Sequence, residues 1–328
     1  MSNIAILDDY QNVSLDMADW GKLQSAHNIS VFTDHIKDEQ KLITRLEDFD
    51  IVCVMRERTP LTKNLFQNLP NLKLVITTGM RNASIDLEEA TNQGIIVCGT
   101  DGLPYPTAEL TWGLLLDLAR NISHEDRASR LGEWQKRIGT GLHGKTLGII
   151  GLGRLGSQVA SYGNAFGMDV LAWSQNLTKL KAEREQAHLS TFQELLSKSD
   201  FISIHTVLSN RTRGLIGSNE FKLMKKSAFL INTSRGPIVN EAELLAALKS
   251  NEIAGAGIDV FSDEPLDTHH ELMKLDNVII TPHIGYVTKE TYEIFYSDTV
   301  DCIERYFDGN PTRVLNQKIQ NTFNAFVY

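Results

Sequence analysis

The sequence predicts an α/β protein made of two doubly wound parallel-sheet domains. Short apolar, β-branched segments alternate with helical patterns from near the start of the chain to near its end, which is typical of βαβ units. Segments such as LGIIG (147–151) are apolar at every position, as a strand covered on both faces should be. The chain has 328 residues, more than one hydrophobic core usually organises, so two domains are expected.

The strands can be assigned in order along the chain. The first half offers NIAIL, NISVF, DIVCVM, LKLVITT and GIIVCG, and the second offers TLGIIG, MDVLAWS, FISIHT, SAFLINT, AGAGIDVF and NVIITP. Helices are expected between the strands, including one that ends near Trp20 and one over residues 86–92.

A domain boundary is expected at TDGLPYPT (100–107), where glycine and prolines interrupt the alternation. A long helical pattern, AELTWGLLLDLA (108–119), follows it, and another runs from 288 to 307 after the last strand. If that last helix returns to the first domain, the second domain is an insertion and a cleft lies between the two. We therefore assign residues 1–103 and 288–328 to one domain and residues 104–287 to the other.

Composition excludes several classes of protein. The formal net charge is −9, whereas a nucleic-acid-binding protein is more often basic. No apolar segment reaches the roughly 18 residues that a membrane span needs, and MSNIAILDDY lacks the features of a secretion signal, so a cytoplasmic protein is expected. Three widely separated cysteines (Cys53, Cys98 and Cys302) indicate neither a metal site nor a disulfide framework.

A glycine-rich turn follows the strand TLGIIG. Gly151, Gly153 and Gly156 have the G-x-G-x-x-G spacing, with an apolar strand before them and a helical pattern after them. In a dinucleotide-binding unit the first glycine allows the tight turn, the second lets the backbone approach a pyrophosphate, and the third lets helix and strand pack closely. The alternative is a glycine-rich turn that binds no ligand.

Three later motifs each follow an apolar strand: INTSRG, GIDVFSDEP and TPHIG. They bring Arg235, Glu264 and His283 to the carboxyl edge of one sheet, where open α/β sheets bind ligands. Each residue alone has an ordinary structural explanation, but together they suit the reduction of a 2-oxo acid. Arginine can bind a carboxylate and polarise a ketone. Histidine can donate the proton that the alkoxide needs, and a neighbouring carboxylate would orient the ring and favour its charged form.

With these motifs in this order, together with GLGRLG and the helix PTAELTWGLLL, the whole chain resembles the D-2-hydroxyacid dehydrogenase family. The resemblance implies a Rossmann coenzyme domain inserted into a flavodoxin-like substrate domain, and a homodimer. It implies that Arg235, Glu264 and His283 are the catalytic residues. The further coenzyme-binding residues that it implies are Asp259 at the nicotinamide carboxamide, Thr107 and Thr233 in the nicotinamide pocket, and Arg154 and Leu155 with backbone N–H groups at the pyrophosphate.

The sequence departs from the family pattern in places. In TTGMRNASID, Gly79 and Met80 match a turn whose amides hold the substrate carboxylate, but Arg81 replaces a common second glycine. Together with the nearby Arg56, Arg81 predicts a substrate that carries a second anionic or polar group. The alternative is that the Arg81 side chain points to solvent. The resemblance also implies that Thr206 lies near the adenine, in a loop that here lacks the family's proline. No C-terminal regulatory module is expected after residue 328.

Ser174 ends the strand MDVLAWS, where a dinucleotide site usually has an acidic residue. A carboxylate there would bind the ribose hydroxyls and repel the 2′-phosphate of NADP. Serine repels neither coenzyme, but the next residues are Gln175 and Asn176, so no arginine directly follows to select NADP. The sequence therefore predicts that the protein uses NAD or NADP, with a modest preference for NADP.

Two classes of function remain open from the sequence. The first is a nicotinamide-dependent reductase of a small 2-oxo acid, similar to glyoxylate or hydroxypyruvate, with a phosphite dehydrogenase as a lesser possibility. The second is a dinucleotide-sensing, corepressor-like interaction protein, because such proteins can keep the same three residues. The complete set of catalytic residues favours the enzyme.

Overall fold

The computed structural model describes residues 1–316, which fall into two compact units: Met1–Leu103 with the chain from Val287 onward, and Pro104–Tyr286. The first unit begins with β1 (Asn3–Ile6), α1 (Gly21–Ala26), β2 (Asn28–Val31), α2 (Glu39–Leu46), β3 (Ile51–Val54), α3 (Lys63–Gln67), β4 (Leu74–Thr77), α4 (Leu87–Asn92) and β5 (Ile96–Gly99).

The sheet of the first unit is parallel throughout, in the order β2-β1-β3-β4-β5. This is the strand order of flavodoxin-like folds. Strands β3, β4 and β5 are buried at every residue, which explains their continuously apolar sequences. The open side of β5 is covered by the backbone of residues 313–315, through Gly99 N to Arg313 O at 3.0 Å and Leu315 N to Val97 O at 2.7 Å.

The second unit contains the inserted part of the chain. Its elements are α5 (Pro106–Arg120), α6 (Ile122–Arg130), β6 (Thr146–Ile150), α7 (Arg154–Ala165), β7 (Asp169–Trp173), α8 (Lys179–Arg184), β8 (His188–Leu189), α9 (Phe192–Lys198), β9 (Phe201–Ile204), α10 (Ser218–Leu223), β10 (Phe229–Asn232), α11 (Glu241–Lys249), β11 (Gly255–Ile258) and β12 (Val278–Ile280). The chain then returns to the first unit through α12 (Lys289–Phe307).

The sheet of the second unit is also parallel, in the order β12-β11-β10-β9-β6-β7-β8. Numbered within the unit this is 3-2-1-4-5-6 with a seventh strand added, the order of the Rossmann fold. The fold class predicted from the sequence is therefore confirmed. The two-residue edge strand β8 was not predicted, because HL is too short to give a periodic signal.

One predicted helix is wrong. The segment before Trp20 is a series of turns, and helix α1 begins only at Gly21. The carboxylate of Asp9 accepts hydrogen bonds from the backbone amides of Val13 at 3.1 Å and Ser14 at 2.8 Å, and the indole of Trp20 donates to the Ser14 carbonyl at 2.9 Å. These side-chain bonds to the backbone replace helical hydrogen bonds. Within residues 1–316, no helix is both long and apolar enough to cross a membrane.

Candidate active site

The glycine-rich turn joins β6 to α7 and is built for close approach. Gly151 has φ +102°, and a Cβ there would lie 2.7 Å from the carbonyl carbon of His205. A Cβ on Gly156 would lie 2.1 Å from the Gly151 carbonyl oxygen, whereas one on Gly153 would meet open space. Gly153 is the N-cap of α7 and offers no side chain, so the first amides of the helix, those of Arg154 and Leu155, are left for a ligand.

Ser174 contacts this turn directly. Its Oγ accepts a hydrogen bond from the backbone amide of Leu152 at 2.9 Å. One lone pair of the hydroxyl is thus engaged by the protein, while its proton remains to donate to a ribose hydroxyl or a phosphate oxygen.

The loop after β9 is fixed by two polar contacts. Ser234 Oγ donates to the carbonyl of Thr206, and His205 Nε2 lies 2.8 Å from Ser203 Oγ. Burial lowers the pKa of His205 to about 4, so its imidazole is neutral near pH 7. Thr206 is therefore held to the strand end that carries Arg235.

Arg235 follows β10 in a turn that Asn232 organises. The Asn232 amide donates to the Arg235 carbonyl at 3.0 Å and its oxygen accepts from the Ser234 amide at 3.0 Å. A Cβ on Gly236 would lie 2.1 Å from the carbonyl carbon of Phe261, so this turn packs against the loop that carries Glu264.

Glu264 and His283 form a hydrogen-bonded pair after the neighbouring strands β11 and β12. The Nδ1 atom of His283 lies 2.6 Å from Glu264 Oε2, while Glu264 Oε1 accepts from the backbone amide of Phe261 at 2.9 Å. The His283 side chain is 14% exposed and the Glu264 side chain is 25% exposed. Because the carboxylate can only accept, Nδ1 carries the proton of this bond and Nε2 is left for a reacting group. The Tyr286 ring meets the imidazole edge-on, with 5.8 Å between ring centroids.

Asp259 is fully buried where β11 ends. It accepts hydrogen bonds from Thr281 Oγ1 at 2.6 Å and from the amides of Ile284 at 2.8 Å and Gly285 at 3.0 Å. Burial raises its pKa, and the hydrogen bonds oppose that shift. Thr107 lies beside it, since a Cβ on Gly285 would be 3.1 Å from Asp259 Oδ2 and 3.2 Å from Thr107 Oγ1.

Thr233 belongs to the same cluster of polar groups at the strand ends. It directly follows Asn232, whose backbone carbonyl accepts a hydrogen bond from the backbone amide of Asp259. Its Oγ1 atom lies 2.7 Å from the Oγ1 of Thr111, a residue of α5 that the sequence analysis did not identify. Thr111 belongs to the helix PTAELTWGLLL, but within that apolar helical pattern nothing distinguishes its side chain from those of its neighbours.

The residues assigned to the substrate in the first unit have different surroundings. Gly79 has φ +85°, but its amide donates to Thr100 Oγ1 at 2.8 Å, so it is engaged inside the unit. Among residues 1–316 the Met80 amide has no such partner. The Arg56 guanidinium covers Gly79 and donates to the Thr78 carbonyl at 3.2 Å, whereas Arg81 is exposed. The two arginines therefore differ, and Arg81 fits the alternative of a solvent-facing side chain.

Comparison with known proteins gives consistent matches. Residues 112–285 match the model of the D-isomer specific 2-hydroxyacid dehydrogenase NAD binding domain. The chain is 44% identical over 241 residues to a glyoxylate reductase of Thermococcus litoralis, covering 70% of this chain and 72% of that protein. It is 42% identical over 256 residues to a glyoxylate reductase of Pyrococcus horikoshii, covering 74% and 75%. A crystal structure of a phosphoglycerate oxidoreductase from Vibrio cholerae superimposes with a TM-score of 0.89 at 35% identity, covering 94% and 99% of the two chains.

Proposed function

Because the chain belongs to the D-isomer specific 2-hydroxyacid dehydrogenase family, we propose that it reduces a small 2-oxo acid of the glyoxylate or hydroxypyruvate type to the 2-hydroxy acid. The observation that carries the proposal is the hydrogen bond between His283 and Glu264. This pair of residues lies at the carboxyl edge of a Rossmann sheet, beside the turn that carries Arg235. This is the set of groups that ketone reduction requires.

The histidine and the glutamate act as one acid. Glu264 holds the Nδ1 proton of His283 and is itself oriented by the Phe261 amide, so the ring keeps one orientation. The Nε2 atom then delivers a proton to the oxygen of the substrate as it becomes an alkoxide. A positioned acid of this kind accounts for about 10²- to 10⁴-fold of rate.

Arg235 is the proposed anchor for the substrate. Its planar guanidinium can bind a carboxylate through two parallel hydrogen bonds and polarise the neighbouring carbonyl. Asn232 and the packing of Gly236 on the Phe261 backbone fix the turn that carries it. The position of the charge is therefore set by the fold before any substrate binds.

The residues of the second unit fit a nicotinamide dinucleotide. Gly153 leaves open space at the start of α7, where the amides of Arg154 and Leu155 would hold a pyrophosphate. Asp259 and Thr233 offer oxygen acceptors that would hold the carboxamide –NH₂ group, and Thr107 would line the same pocket. When bound, the coenzyme supplies the hydride.

We propose that both NAD and NADP are used, with a modest lean to NADP. No carboxylate ends β7 to repel a 2′-phosphate, and the Ser174 hydroxyl keeps its proton for a ribose or phosphate oxygen. The Thr206 loop, tied to Ser234, would lie at the adenosine half.

Within the first unit, the Met80 amide and the Arg56 guanidinium are the groups that we propose for an anionic part of the substrate. Arg56 lies over the Gly79 turn, while Arg81 points to solvent. Arg56→Ala should therefore change the relative kcat/KM values of hydroxypyruvate and glyoxylate, and Arg81→Gly serves as the matched control that should not. Equal effects of the two variants would contradict the assignment.

We also propose a homodimer in the cytoplasm. Leu131, Trp134 and Ile138 are 81%, 79% and 99% exposed in one short segment, and such a patch usually contacts another surface. The three cysteines are free thiols, as is usual in a reducing compartment. Sedimentation equilibrium should give twice the mass of the chain, and a monomer at micromolar concentration would contradict the dimer.

The activity itself is tested with a substrate panel. Glyoxylate, hydroxypyruvate, pyruvate and phenylpyruvate are each assayed with NADH and with NADPH by the loss of absorbance of the reduced coenzyme. We expect turnover with glyoxylate or hydroxypyruvate. A protein that binds the coenzymes but turns over none of the four acids would refute the proposed substrate class.

A further inference from the structure

The hydroxyl of Thr111 is buried on the inner face of α5 and contacts two oxygens. It donates to the carbonyl of Thr107 at 2.7 Å and lies 2.7 Å from the hydroxyl of Thr233. A hydroxyl has one proton, and a carbonyl oxygen can only accept. Since the Thr111 proton is given to Thr107, the proton between the two threonine hydroxyls must come from Thr233.

This assignment decides what Thr233 can offer to a ligand. With its proton committed to Thr111, the Thr233 hydroxyl has only lone pairs left. The Asp259 carboxylate after the neighbouring strand also accepts hydrogen bonds when ionised. The cluster therefore presents acceptors, which match a group with two N–H donors and repel a group that offers only a carbonyl oxygen.

We propose that Thr111 is a positioning residue that fixes the Thr233 hydroxyl as an acceptor and so makes this site selective for the carboxamide –NH₂ of nicotinamide. The inference rests on the proposed function, in which Thr233 and Asp259 face the nicotinamide ring. A bond from a helical threonine to the carbonyl four residues earlier is common. That local bond explains the Thr107 contact, but it gives no reason for a second hydroxyl to meet Thr111 from the end of β10.

The test uses coenzyme binding without any substrate. Dissociation constants are measured for NADH, for the reduced 3-acetylpyridine analogue, in which a methyl group replaces –NH₂, and for ADP-ribose, which lacks the ring. Thr111→Val removes the hydroxyl and frees the Thr233 proton. This substitution should weaken the binding of NADH about 3- to 10-fold, the equivalent of one net hydrogen bond. It should weaken the binding of the acetylpyridine analogue less and leave the binding of ADP-ribose unchanged. Thr111→Ser, which keeps the hydroxyl, should restore the parent values.

Two outcomes would overturn the inference. The first is an unchanged ratio of the NADH and acetylpyridine constants in Thr111→Val. The second is an equal loss with all three probes, which would show a purely structural role. If Thr111→Val does not fold, Thr111→Ala is judged by the same ratio. Failure of the proposed reductase function would appear separately, as normal coenzyme binding without turnover in the substrate panel.

Discussion

The carboxylate of Glu264 accepts hydrogen bonds from two donors at once, which determines what its replacement by glutamine should do. His283 Nδ1 lies 2.6 Å from one oxygen, and the backbone nitrogen of Phe261 lies 2.9 Å from the other. Glutamine has one oxygen and one –NH₂ group. In Glu264→Gln, one donor must therefore face another donor, or the imidazole must move its proton to Nε2 and present the wrong tautomer to the substrate.

The expected loss follows from the bond that is removed. A hydrogen bond to a charged group contributes about 1.5–3 kcal/mol. At 1.36 kcal/mol for each factor of ten, this corresponds to a decrease in kcat/KM of about 10- to 150-fold.

The assay compares Glu264→Gln with the parent and with Asp276→Asn, which removes a charge from an exposed residue just before β12. Values of kcat and KM are measured for the best substrate of the panel, and melting temperatures verify the fold. We expect Asp276→Asn to behave as the parent. Unchanged kcat/KM in a folded Glu264→Gln would refute the pairing as the source of the acid.

Four further predictions concern single residues. His283→Ala should lower kcat by about 10²- to 10⁴-fold with a smaller effect on substrate binding, and near-normal kcat would exclude it as the acid. Arg235→Lys should lower kcat and raise KM, because an ammonium cannot reproduce the planar guanidinium; unchanged kinetics would move the anchor elsewhere. Ser174→Asp should reduce kcat/KM for NADPH far more than for NADH, and a parent that prefers NADH more than about a hundredfold would contradict our reasoning on the 2′-phosphate. Burial lowers the pKa of His205 from 6.5 to about 4, so between these pH values the unfolded chain binds a proton that the folded chain does not bind. The contribution of His205 to the free energy of unfolding is therefore complete above pH 6.5 and is lost as the pH falls to about 4. It stays below about 3 kcal/mol, because the ring is only partly buried. The melting temperature of His205→Gln should thus fall less than that of the parent between pH 7 and 5, and parallel curves would disprove it.

The residues that directly follow the strands could be placed in the fold from the sequence alone. Parallel strands carry their loops to one edge, so motifs that follow apolar segments could be placed together, and Glu264 was expected beside His283. The contacts of Thr111 with Thr233 and of the Gly79 amide with Thr100 could not be predicted. Each joins residues far apart in the chain through a single hydroxyl, which leaves no periodic signal. The turns before Trp20 were missed for a related reason, since one carboxylate, that of Asp9, outweighs a weak helical pattern.

The covering of β5 by residues 313–315 constrains the order in which the chain can fold during synthesis. The backbone amide of Val97 bonds to the side chain of Asn316, which is 219 residues later, so this edge of the first sheet stays open until residues 313–316 have left the ribosome. The second unit is continuous and can complete its own sheet before that happens. The first unit is therefore begun before the second and completed after it, and in the interval the open side of β5 is an unpaired strand edge.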